Sequence, residues 1–66
     1  MSDLDELKAE IKKLSAKATQ AKMDLHDLSE ELPLQWQDIL KVAQRAHDAF
    51  LELEQKRAAL KSLESA

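Results

Sequence analysis

Apolar residues fall alternately three and four positions apart through the first half of the chain: Leu4, Leu7, Ile11, Leu14, Ala18, Ala21, Leu25, Leu28 and Leu32. A mean step of about 3.5 residues sets one narrow apolar seam along one side of a long helix. The pattern predicts a first helix over residues 3–31. Ser2 is placed to cap it, with Asp5 three residues on as a weaker capping-box partner. Asp3, Asp5 and Glu6 suit the positive end of the helix dipole. Pro33 ends the helix, because the residue before a proline is pushed out of helical geometry. Proline also fits the first turn of a following helix, which predicts a second helix over residues 34–62.

The second half carries its own stripe: Trp36, Ile39, Ala43, Ala46, Phe50, Leu53, Arg57 and Leu60, widened by Leu40, Val42, Ala49 and Leu63. A turn confined to Leu32 and Pro33 folds two helices of about 45 Å back on each other, antiparallel. With that turn, Ala18 and Ala21 fall opposite Ala46 and Ala43, so that small residues meet at a narrow waist. A stripe as broad as the second one needs more than one neighbour. The expected fold is all-α: one domain, an antiparallel two-helix hairpin that self-associates into a four-helix bundle or a higher oligomer. Its shared core would comprise Leu7, Ile11, Leu14, Ala18, Ala21, Leu25, Leu28, Trp36, Ile39, Ala43, Ala46, Phe50 and Leu53.

Length and composition point the same way. A chain of 66 residues has no cysteine, so disulfides, thiolate metal sites and cysteine nucleophiles are excluded together. Chains below roughly 70–80 residues seldom bury a sufficient core without a staple or a partner. Self-association is the route left. Glycine is absent, which removes phosphate-cradling loops. No apolar run approaches the roughly 20 residues of a membrane span. The acidic start, Met1 to Glu6, does not resemble a signal peptide. Net charge is −3, and Glu10 interrupts the lysines between Lys8 and Lys22, so no nucleic acid is expected as a partner. With no acid–base pair or nucleophile in a recognisable setting, the chain is not expected to be an enzyme.

One segment breaks the local rules. No lysine or arginine lies between Lys22 and Lys41, while Asp24, Asp27, Glu30, Glu31 and Asp38 do. Four of these acids crowd the negative end of the first helix dipole, at a cost of about 0.3–1 kcal/mol each. Sequences tend to break such rules at working sites. His26 sits inside the cluster, with Glu30 four residues on along the same helical face and Asp27 adjacent. One imidazole with one or two carboxylates can hold Zn²⁺, Ni²⁺ or Fe²⁺ when a second chain or water completes the shell. The heptad places His26 and Glu30 at outer positions, so such a site would lie at the surface or between dimers. Asp24 and Glu31 beside it would face a basic partner. The inward Glu-x-x-His pairs of di-iron bundles are missing, since Met23 and Gln44 precede the two histidines at that spacing. His47, flanking the second stripe, reads as a partly buried histidine with one hydrogen bond.

The stretch Ala21-Lys22-Met23-Asp24-Leu25-His26-Asp27-Leu28-Ser29-Glu30-Glu31-Leu32-Pro33, followed by Trp36, resembles the Rop-like family of small helical proteins of unknown function encoded among nitrogenase genes. The resemblance implies a helical hairpin that dimerises or assembles further. It also implies a nitrogen-fixing bacterial cytoplasm and an accessory role around nitrogenase or its metal cofactors; the alternative is a structural adaptor whose broad second-helix face docks onto a nitrogenase-assembly protein. A metal role in that family would fall on His26, Asp27 and Glu30.

Overall fold

A computed structural model describes residues 3–65 of the chain; Ser2, the expected cap, lies outside the described residues. Helix α1 spans Asp3–Glu31 and helix α2 spans Ile39–Ser65. They pack antiparallel into a rod of 49 × 16 × 13 Å. No strand occurs among the described residues. The chain is thus all-α, a two-helix hairpin.

The connection is longer than a turn at Leu32 and Pro33, and α2 begins at Ile39 rather than at residue 34. After α1 ends, the Leu34 N–H donates to the Glu31 carbonyl at 3.0 Å. Gln35 then takes the left-handed conformation (φ 56°, ψ 28°). That reverses the chain and breaks helical continuity, so a helix starting at Leu34 cannot form. Trp36–Asp38 make a 3-10 turn, with the Asp38 N–H donating to the Gln35 carbonyl at 3.0 Å, and α2 follows.

The longer connection shifts the register of the two seams by about one turn. Ala18 packs with Ala49 and Leu53 in the buried cluster, and Ile11, Leu14 and Ala21 close around it. The waist predicted between Ala18 and Ala46 therefore forms at Ala49, which sits in the core and not on its flank. Ala46 and Leu28 are also buried, nearer the connection. In α2 the face turned towards α1 is Ala46, Ala49 and Leu53, extended by half-buried Val42, Lys56 and Leu60. Ile39 and Phe50 stand on its flank, 37% and 42% exposed within the single hairpin. Trp36 belongs to the 3-10 turn and is off the helical stripe altogether. One cross-helix ion pair joins Lys56 Nζ to Glu10 Oε2 at 3.4 Å, so Lys56 reaches across the hairpin.

Candidate functional site

The acidic segment occupies the last two turns of α1 and the connection, at one end of the rod. Its last turn contains no basic residue to offset the dipole. Asp24 accepts a hydrogen bond from Gln20 Nε2 at 2.9 Å, a helical i,i+4 pair. The Ser29 hydroxyl donates to the His26 carbonyl at 2.7 Å, turning back into its own helix.

His26 meets both of its expected neighbours, but on opposite edges of the ring. Nε2 lies 3.1 Å from Glu30 Oε1, and Nδ1 lies 3.5 Å from Asp27 Oδ1. All three side chains are about two-thirds exposed. An ion bound at Nε2 would have Glu30 within reach, whereas Asp27 stands at the other nitrogen. Among the described residues, no group of three or more histidine or acidic side chains could hold one metal ion. A single hairpin thus offers a two-donor His–Glu pair, short of the three or four protein ligands of a zinc site. His47 is exposed within the single hairpin and has one hydrogen-bond partner, with Nδ1 3.4 Å from Asp48 Oδ1.

Beside the acids lies a feature that residue spacing does not reveal. Leu34, Trp36 and Leu40 are 70%, 60% and 82% exposed, the most open of the large apolar side chains. Leu34 reads as the start of a helix and Leu40 as a seam residue until the left-handed Gln35 is known. The only signal available in the sequence is the density of large apolar residues just after Pro33 in a segment otherwise polar and acidic.

Along the body of the rod, two shallow grooves flank the helix–helix seam. One, of about 480 Å³, is floored by Ala21, Val42 and Ala49. The other, of about 590 Å³, runs from Lys8 past Ile11 and Ser15 to Met23, with Arg57 on its α2 side. Phe50 and Ala43 precede Arg57 by seven and fourteen residues, so they continue the same flank of α2.

Two long antiparallel helices, with a narrow seam on α1 and a broad stripe on α2 whose flank is left open, define a helical hairpin. The chain belongs to the Rop-like family, whose model matches residues 2–65. A UPF0437 protein of Azorhizobium caulinodans is 62% identical over 65 residues, covering 98% of this chain and 94% of that one. A UPF0437 protein of Frankia alni, named for its place in the nifX-nifW intergenic region, is 51% identical over 43 residues, 65% of this chain and 52% of its own. An NMR structure of a structural-genomics target is 46% identical and superposes with a TM-score of 0.87, covering 98% of this chain and 92% of that one.

Proposed function

We propose that this chain is a non-enzymatic accessory protein of nitrogen fixation in the bacterial cytoplasm. Two copies pair along the open flank of α2 to form an antiparallel four-helix bundle, and the assembly acts by binding other molecules at its acidic ends, as an adaptor for nitrogenase-assembly proteins. The observation that carries this reading is the apolar flank at Ile39 and Phe50, left exposed on a hairpin whose core holds five buried apolar residues among those described, three of them alanine. The nitrogen-fixation setting is supported by the name of the Frankia relative. Sedimentation equilibrium tests the pairing: a dimeric mass is expected, and a well-folded solitary species of 7.5 kDa would sink it.

A second reading is favoured by the 3.1 Å approach of His26 Nε2 to Glu30. A divalent Zn²⁺, Ni²⁺ or Fe²⁺ ion would take His26 and Glu30, with water or a second chain completing the donors, and the role would be metal delivery. Under this reading His26→Ala leaves helicity and mass unchanged and lowers metal uptake. Titration calorimetry with each ion checks it, and equal binding by both proteins would remove the site.

A further inference from the structure

Resting on the binding role proposed above, we infer that the end of the hairpin is a docking surface for a basic amphipathic segment of another protein. Leu34, Trp36 and Leu40 fall within seven residues, and each is at least 60% exposed. Scattered exposed apolar residues are ordinary, but three large ones within seven residues at one end of the rod point to a contact surface. Tryptophan is among the residues enriched at the anchoring positions of interfaces.

The charge around the patch selects the occupant. Five acids and no lysine or arginine lie between Lys22 and Lys41. Asp24 and Glu30 are engaged with Gln20 and His26. Glu31 and Asp38, which bracket the connection, have no ion-pair partner among the described residues. A partner that covers the leucines must bring positive charge to meet this rim. A second copy docked tip to tip would set five acids against five. Anionic membranes and nucleic acids are repelled for the same reason. The left-handed Gln35 turns the chain between Leu34 and Trp36, so the patch is built on the turn and both are displayed instead of entering α2.

Trp36 is the sole tryptophan and reports directly on the patch. The probe is a synthetic amphipathic peptide of leucine and lysine, titrated at low salt. A saturable blue shift of Trp36 emission is expected, weakening as salt is raised. Leu34→Ser/Leu40→Ser and, separately, Glu30→Lys/Glu31→Lys each weaken binding at least tenfold with helicity unchanged. Glu52→Lys/Glu54→Lys, in the body of α2, retains it. Equal affinity in all variants, or an equal loss from both charge reversals, would overturn the assignment. So would a fall in sedimenting mass of Leu34→Ser/Leu40→Ser without peptide, because the patch would then belong to a second copy. A wild-type chain that sediments alone yet shows the full variant pattern would sink the pairing and leave the docking surface standing.

Discussion

Gln35 is the residue on which the connection turns. It is the one non-glycine residue with positive φ among those described. Its Cβ is crowded against the following carbonyl in that conformation, at a cost of roughly 1–2 kcal/mol. Glycine lacks the crowding but loses more backbone entropy on folding. The net expectation for Gln35→Gly is a gain of about 0.5–1 kcal/mol, read from denaturant unfolding at fixed protein concentration. Gln35→Val, branched at Cβ, should lose more than about 1 kcal/mol in the same measurement. A valine variant as stable as the parent would show that residue 35 is not held left-handed in solution. Nothing in the sequence announces this position, because neither glycine nor asparagine marks it.

At the scale of the element, α1 and α2 differ in how much of their packing can be read from spacing. The α1 seam is narrow, and most of its heptad residues are buried or half-buried, Leu4, Leu7, Ile11, Leu14, Ala18, Ala21 and Leu28, while Leu25 and Leu32 nearer the connection are exposed within the single hairpin. The α2 stripe is broad, and which part of it meets α1 depends on where the helix starts. Spacing cannot resolve that, since Ala46 and Leu53 fit both the stripe through Phe50 and the one through Ala49. The hairpin is legible from Pro33 and two apolar periodicities; the register is not, because it follows from the conformation of residues 32–38. The acidic histidine segment is legible in part: the i,i+4 spacing places Glu30 against His26, but which ring edge Asp27 meets depends on the rotamers. The consequence for packing is sharp at Ala18, which is 1% exposed against Ala49. Enlarging it to leucine forces the helices apart, and Ala18→Leu should cost about 1–3 kcal/mol by overpacking. Ala9→Leu, on the exposed face of α1, should be near neutral. Thermal unfolding of the pair decides it, and equal midpoints would mean that the waist is not formed there.

For the whole molecule, the deciding quantity is how little the single hairpin buries. Among the described residues the buried apolar ones are Ala18, Leu28, Ala46, Ala49 and Leu53, and only two of these carry large side chains. Burying a leucine or phenylalanine contributes about 1.5–3 kcal/mol, so two such residues cannot by themselves offset the ordering of two helices of 29 and 27 residues. The cross-helix pair of Glu10 and Lys56 is half-exposed and contributes at most about 1 kcal/mol. Half-buried Leu7, Ile11, Leu14, Val42 and Leu60 add to this, and covering the flank that holds Ile39, Ala43 and Phe50, along the groove beside Ile11 and Met23, would add more. If a second copy covers it, stability rises with protein concentration, because association is coupled to folding. Ile39→Asp/Phe50→Asp would bury two charges in that contact and should shift the sedimenting mass to the single chain, with helicity lost at micromolar concentration. Leu51→Asp, next to Phe50 but pointing about 100° away on α2, should leave the mass unchanged. A melting midpoint independent of concentration, together with a double-aspartate variant that stays fully helical, would mean that the open flank is tolerated by the hairpin alone.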